Sequence, residues 1–206
     1  EKLRKKHVPV LFMNTYYEAL DAPHVSMDDI MAGKIATQYV IGKGHKRIGG
    51  VFKLDDSQGS RRYFGFLEAM NEASLRVTGN DLLWFDTVDI ENEENVRQLA
   101  ERIRKRLSTR TALVLYNDES AYKLINEFNK MGLKIPDDIS IVGIDDTVLS
   151  TNGTVQITSV AYPTEEIAVK AANNLLELIK NGRFDATYEF SVHIVERDSV
   201  KDLTDN

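Results

Sequence analysis

Short apolar segments alternate with longer amphipathic segments along almost the whole chain, and this alternation constrains the fold more than any other feature. Short apolar runs between polar turns are typical of buried strands, and apolar residues three or four apart are typical of helices. The sequence predicts strands at 9–14, 47–53, 82–85, 112–116, 139–144 and 187–195. It predicts helices capped by Asp28 and by Ser60, and further helices at 91–107, 118–131 and 165–180.

This order of elements is typical of an α/β fold with a doubly wound, mostly parallel sheet. Ligands of such sheets bind at the carboxyl ends of the strands. The residues that follow the predicted strands are mostly polar, as a site for a small polyhydroxylated ligand requires. They are Asn14, 55–58, 86–89, 117–119, and Asp145 with Asp146.

Composition excludes several classes of function. The chain has 206 residues, enough for one domain or two small lobes. It has no cysteine, which excludes disulfides, zinc–thiolate sites and thiol catalysis. Its formal net charge of −6 does not suit nucleic-acid binding, which needs clustered Lys and Arg. The longest apolar run, 112–116, is far below the roughly 20 residues of a membrane span.

Four segments together resemble the effector-binding domain of the LacI/GalR family of transcription regulators. Each is weak alone, but all four occur in family-like order and spacing over essentially the whole chain. They are GHKRIGG at 44–50, RYFGF at 62–66, ALVLYNDESA at 112–121 and IPDDISIVGIDDTVLS at 135–150. Within the family, the segment 50–66 most resembles the arabinose-responsive repressors of Gram-positive bacteria, which carry a GntR-type winged-helix DNA-binding domain.

The resemblance implies a periplasmic-binding-protein-like fold of two α/β lobes with sugar bound between them. It implies a truncated N-terminal lobe, with 1–27 and 161–186 as its remnant and its crossings. It also implies a nearly complete C-terminal lobe at 28–160 and 187–200. We expect the residues from Ser199 onward, including the tail at 201–206, to be frayed.

Arg62 is the first site residue that the resemblance implies, because the family's arginine here forks onto sugar hydroxyls. The alternative is a solvated helix arginine like its neighbour Arg61. Asn117 and Asp145 match sugar contacts at the ends of two strands. The alternatives are a helix cap for Asn117 and an Asx-turn for Asp145.

Four further residues match cleft-facing positions of related regulators. They are Gln58, Asp56, Asn14 and Tyr162. Solvated loop positions are the alternative for Gln58 and Asp56, and hinge packing is the alternative for Tyr162. Many family members place an aromatic residue near Thr87, where this chain has none, and Trp84 is expected in the core.

No cofactor, metal ion or catalytic residue is predicted. The four histidines have no metal-binding spacing, and His45 is expected to pack in the turn before a strand. The aspartate pairs at 55–56 and 145–146 leave a magnesium-dependent enzyme as an alternative. Paired acids in such loops are more often caps, and the chain has no glycine-rich phosphate loop.

The sequence therefore predicts a non-enzymatic, cytoplasmic sensor domain of a repressor. Its partners would be a small sugar, L-arabinose or a related one, and operator DNA through an N-terminal domain absent from this chain. The family implies a homodimer and no membrane association. A periplasmic sugar-binding protein of a transporter remains the main alternative, because it shares the bilobed scaffold.

Overall fold

A computed structural model describes residues 8–20, 22–182 and 185–204 of the chain. The chain forms two compact units, each of which combines separate stretches of sequence. The first unit contains the residues up to Asp28 together with Tyr162–Val192, and the second contains Asp29–Ala161 together with the residues from His193 onward. None of the helices described is long and apolar enough to cross a membrane.

Nine strands and five α-helices are defined within the described ranges. The strands are β1 (Phe12–Met13), β2 (His24–Met27), β3 (Ile48–Lys53), β4 (Leu82–Phe85), β5 (Ala112–Leu115), β6 (Ser140–Ile144), β7 (Thr158–Ala161), β8 (Tyr188–Phe190) and β9 (His193–Val195). The helices are α1 (Asp29–Gly42), α2 (Ser57–Glu72), α3 (Glu93–Arg106), α4 (Asp118–Lys130) and α5 (Thr164–Asn181).

The second unit contains a six-stranded sheet in the order β4-β3-β5-β6-β7-β9. All its neighbouring strands are parallel except β7 and β9, which are antiparallel. The first unit contains a parallel sheet in the order β1-β2-β8, with α5 packed against β1 and β2. The predicted α/β class with mostly parallel strands is confirmed.

The main core of the second unit forms where α3 and α4 pack on the sheet. Its members include Leu99 and Ile103 of α3, Leu113 of β5, and Leu124 and Phe128 of α4, all buried. In α3 the buried residues recur at helical spacing. The ends of α3 are also well defined, because the Asn92 side chain caps the first turn and basic residues occupy the last turn.

Two predictions about element boundaries are wrong. Helix α2 begins at Ser57, because the Asp56 side chain accepts from the Gln58 N–H, whereas the Ser60 hydroxyl donates back to the Ser57 carbonyl. The single strand predicted at 187–195 is two strands in two sheets, since β8 pairs with β2 and β9 pairs with β7. Apolar alternation continues across the break, and it does not specify a strand's partner.

The prediction of a frayed C-terminal tail is also wrong as far as Thr204; residues 205 and 206 lie outside the described residues. Ser199 is fully buried, and its hydroxyl accepts from the Thr158 N–H at 2.8 Å and donates to the Ile141 carbonyl. The Leu203 N–H donates to the Lys43 carbonyl at 2.8 Å. These hydrogen bonds order a polar segment. Because the segment has no apolar periodicity, its ordered structure could not be predicted from the sequence.

Helices α1 and α2 approach each other closely at two glycines. A Cβ atom on Gly33 would lie 2.0 Å from the Arg62 carbonyl oxygen, and one on Gly65 would lie 1.9 Å from the Ile30 carbonyl oxygen. Real Cβ atoms do not approach backbone so closely, so only glycine permits this packing. The contact brings the first turn of α1 next to the side of α2 that carries Arg62.

We predict that Gly65→Ala lowers the free energy of unfolding by about 3 kcal/mol, because the new methyl group must separate the two helices. Gly42→Ala is the matched control, since a Cβ there meets nothing within 4 Å in a helix of ordinary backbone conformation. That control should gain about 0.5 kcal/mol. Urea unfolding measures both, and equal stabilities for the two variants would contradict the close approach.

Candidate functional site

Arg62 lies at the centre of a polar cluster in the second unit. Its guanidinium is 1% exposed and donates in three directions. Nε donates to Asp29 Oδ1 at 2.9 Å, Nη1 to the Tyr116 carbonyl at 2.6 Å and Nη2 to Asp145 Oδ1 at 2.8 Å. We call Asp29, Arg62, Tyr116, Asn117 and Asp145 the strand-end cluster, because three of them follow β5 or β6.

The Tyr116 ring supports the guanidinium from one side. The Arg62 Cζ atom lies 4.9 Å from the centre of the ring, within the range of a cation–π contact. The Tyr116 hydroxyl donates to Asp56 Oδ2 at 2.8 Å. Burial is the main reason that the pKa of this hydroxyl lies well above its usual value, so it remains a donor.

Asp145 and Asp146 have positive φ angles of 104° and 45°, directly after β6. Such conformations cost about 1–3 kcal/mol each in residues with side chains, and they persist only where neighbouring contacts enforce them. Here the Asp145 N–H donates to the Val160 carbonyl at 2.9 Å. Arg197 Nη2 donates to Asp146 Oδ1 at 2.6 Å. The backbone therefore turns the Asp145 carboxylate toward Arg62.

Burial and ion pairing have opposite effects on the pKa values of the charged residues in the cluster. Burial raises the pKa values of Asp29 and Asp145 despite the opposing effect of Arg62. Burial by itself would lower the pKa of Arg62, but the Asp145 and Asp29 carboxylates outweigh it and hold that pKa above its usual value. Arg62 thus remains charged, and two carboxylates share one buried cation.

Five of the predicted site residues are connected by hydrogen bonds or shared partners in the second unit. The Gln58 amide donates to both Asp29 oxygens at 3.2 and 3.3 Å. Asp56 caps α2 and accepts from Tyr116. Asn117 caps α4 through a 2.9 Å bond from the Ser120 N–H, and its side chain also hydrogen-bonds Asp145, which lowers the pKa of that carboxyl.

Arg62 is bonded to protein groups that surround its side chain. The residue is not a solvated helix arginine, since three of its five N–H groups already donate to protein acceptors. The Asp145 side chain is 17% exposed, whereas that of Arg62 is 1% exposed. Of this pair, Asp145 is the more accessible residue and can still accept hydrogen bonds, and Arg62 holds it in place. Direct ligand contact by either residue stays a prediction.

Two predicted site residues belong to the first unit. Asn14 has a left-handed backbone, with φ of 66°, and its N–H donates to the Val25 carbonyl at 2.9 Å. Tyr162 lies between β7 and α5 and is half-buried. Their part in ligand binding stays a prediction.

Three residues that shape the site are not among the predicted site residues. Asp29 lies beside the predicted cap Asp28, Tyr116 ends a predicted strand, and Asp118 is one of the polar residues at 117–119 that follow it. Asp29 had a usable signal, because it is a second acidic residue at a helix start whose following residues are small or apolar. Asp118 proves to be fully buried.

Three other expectations concern residues outside the cluster. Trp84 is half-buried on the edge strand β4, where its ring centre lies 5.1 Å from that of Tyr63, so it packs against its neighbours but is not in the core as expected. His45 is buried between Thr111 Oγ1 at 2.9 Å and the Lys201 carbonyl at 3.0 Å, and burial lowers its pKa. In the described ranges, no group of three or more His, Asp or Glu side chains is arranged to hold a metal ion.

Comparisons with known proteins agree with this architecture. The family model of the periplasmic binding protein-like domain matches residues 37–200. An arabinose metabolism transcriptional repressor from Geobacillus stearothermophilus is 34% identical over 98% of this chain and 56% of its own length. A protein of the same name from Halalkalibacterium halodurans is 30% identical over 94% of this chain and 51% of its own length.

The chain thus spans about half the length of these curated relatives. Among solved structures, a transcription regulator from Lactobacillus plantarum superposes with a TM-score of 0.86 at 26% identity. That superposition covers 98% of this chain and 76% of the other.

We predict that Arg62→Ala lowers the free energy of unfolding by about 3–5 kcal/mol at neutral pH, because it leaves the buried Asp29 carboxylate and the partly buried Asp145 carboxylate without their cation. Their folded-state pKa values, already above 3.8, would rise further. The loss should therefore shrink as pH falls from neutrality toward the ordinary aspartate range near about 4, because both carboxyls of the folded variant are then protonated and need no cation. Denaturant unfolding across pH measures this.

Arg97→Ala is the control for this substitution, because Arg97 is half exposed and forms surface ion pairs with Glu94 and Glu101. It should change stability little at any pH. A pH-independent loss in Arg62→Ala would show that the two carboxylates are not coupled to the arginine.

Proposed function

This chain belongs to the periplasmic binding protein-like domain family, in the group of LacI/GalR effector-binding domains, and we propose that it is the sugar-sensing domain of a bacterial transcriptional repressor. The proposal is for a binding protein and not for an enzyme. The curated relatives, which are repressors, favour it over a transporter component.

The strand-end cluster is the observation that carries the proposal. A sugar presents neighbouring hydroxyls, each of which donates one hydrogen bond and accepts others. Asp145 offers a partly exposed carboxylate that accepts from hydroxyls, and Asn117 next to it offers an amide. Because Arg62 fixes Asp145 before ligand arrives, little side-chain entropy would be lost on binding.

L-arabinose is the sugar that we propose. Two relatives at 30% and 34% identity are named as repressors of arabinose metabolism. The uncharged pentose also suits a cluster in which carboxylates outnumber cations, since an anionic ligand would be repelled.

Regulation would follow from a shift between conformations. A sugar that binds one conformation of the sensor more tightly than another shifts their populations by that difference in affinity. In the proposed repressor this shift releases operator DNA from a DNA-binding domain outside this chain. The proposal includes a homodimer, which suits two-fold operators, and a cytoplasmic location, where a repressor meets its DNA.

Titration calorimetry of the intact protein against L-arabinose, D-xylose, D-ribose, D-glucose and D-galactose tests the proposal. We expect heat with L-arabinose and at least about tenfold weaker binding in Asp145→Asn, which keeps the shape but removes a charged acceptor. Asp138→Asn is the control, because its carboxylate accepts a backbone N–H in an exposed loop.

The outcomes separate the parts of the proposal. Binding of a different sugar would contradict L-arabinose and leave the sensor in place. Equal sugar affinities of Asp145→Asn and the parent would show that the strand-end cluster is not the sugar-binding site. No heat with any sugar, from protein that unfolds cooperatively, would contradict sugar sensing itself.

A further inference from the structure

Asp118, in the first turn of α4, is a buried carboxylate that the proposed binding chemistry does not use directly. Its side chain is fully buried, and it forms no ion pair with any Lys, Arg or His of the described residues. Burying a carboxylate without a cation is costly, so its hydrogen bonds must compensate. The partners of these hydrogen bonds indicate the role of Asp118.

Both oxygens of Asp118 accept from the segments around the strained aspartates. Oδ2 accepts from the Thr147 N–H at 2.7 Å, and Oδ1 accepts from the Ser159 hydroxyl at 2.6 Å. The Ser159 oxygen in turn accepts from the Asp146 N–H at 3.1 Å. Asp118 therefore holds the backbone that follows Asp145. It binds the Thr147 N–H directly and the Asp146 N–H through the Ser159 hydroxyl.

The strand beneath leaves room for this carboxylate. A Cβ atom on Gly143 of β6 would lie 2.3 Å from Asp118 Oδ1. Any other residue at 143 would displace the carboxylate. Gly143, two residues before Asp145, is thus required for the Asp118 carboxylate to pack against β6.

We propose that Asp118 is a positioning residue, which holds the 145–147 backbone so that the Asp145 carboxylate faces Arg62 and the sugar. This inference rests on the proposed sugar-binding function. Three contacts fix the segment: Asp118 on Thr147, Ser159 on Asp146, and Arg62 on the Asp145 side chain. Without the contact between Asp118 and Thr147, we expect Asp145 and Asp146 to relax from positive φ toward ordinary backbone conformations.

The charge state of Asp118 is sensitive to pH. Its pKa is raised to about 7, mainly by burial and to a smaller extent by the nearby Asp145 and Asp146 charges, while the bonds from Ser159 and Thr147 oppose the rise. Asp145 and Asp146 are the titratable groups that face it, and they are paired with Arg62 and Arg197 respectively. Gly143 and Ser159, which face it from β6 and β7, do not titrate. Only the ionised form accepts at both oxygens without having to place a proton of its own.

Asp118→Asn is the first test. Whichever way the amide turns, its NH₂ group faces either the Thr147 N–H or the Ser159 hydroxyl, so one acceptor is lost. We expect L-arabinose to bind about five- to tenfold more weakly to this variant of the intact protein. The fold should be retained, because the buried charge is removed as well. Ser159→Ala, which breaks the link to Asp146, should weaken binding in the same direction.

A pH profile distinguishes positioning from a purely structural role. We expect the sugar affinity of the parent to rise between about pH 6 and pH 8, as Asp118 loses its proton. Asp118→Asn should lack that rise, and the Asp138→Asn control should keep it. Identical affinities and pH profiles in Asp118→Asn and the parent would overturn the proposal.

Amide hydrogen exchange gives a readout that needs no sugar. The N–H groups of Asp146 and Thr147 should exchange faster in Asp118→Asn than in the parent, whereas those of β5 should not change. Unchanged exchange would contradict the positioning role even if no sugar binds. Faster exchange with unchanged affinity would show that the segment is held by Asp118 but is not needed for binding.

Discussion

A buried arginine bonded to two carboxylates organises the second unit. Arg62 could not be buried without acceptors on several sides, and it finds them on α1, at the end of β5 and after β6. Those three elements must therefore stay in register for the cation to remain satisfied. The same requirement fixes the side chains that we assign to sugar binding.

Two local features make this arrangement possible. The glycine contact between α1 and α2 brings Asp29 within reach of Arg62, and the left-handed backbone after β6 directs Asp145 there from the other side. Neither feature favours stability by itself, since glycine is a poor helix former and positive φ is strained. Both are understandable if the site, rather than the stability of the elements, determines these residues.

Much of the architecture could be predicted from the sequence. Apolar runs such as 112–116 depend on local chemistry, so all five α-helices and most strands were predicted in order, but β2 and β7 were not predicted. The predicted cap at Ser60 and the single strand at 187–195 failed because the choice depends on tertiary partners. In both cases the local pattern fits more than one outcome.

The site could be predicted only in part, for a related reason. The strand-end rule and the family resemblance identified Arg62, Asn117 and Asp145, which the structure brings together. They did not identify Asp29 or Tyr116, because a partner across the fold leaves no periodic signal in the chain. Burial of Arg62 was likewise invisible, since a charged helix residue is ordinarily exposed.

The proposed function depends on a sugar that binds at the strand-end cluster. A crystal structure of the intact protein grown with L-arabinose would show where the sugar lies. We expect density for the sugar within hydrogen-bonding distance of Asp145 and Asn117, with the Arg62–Asp145 bond preserved. Sugar bound elsewhere, with those two side chains bonded only to protein or water, would contradict it.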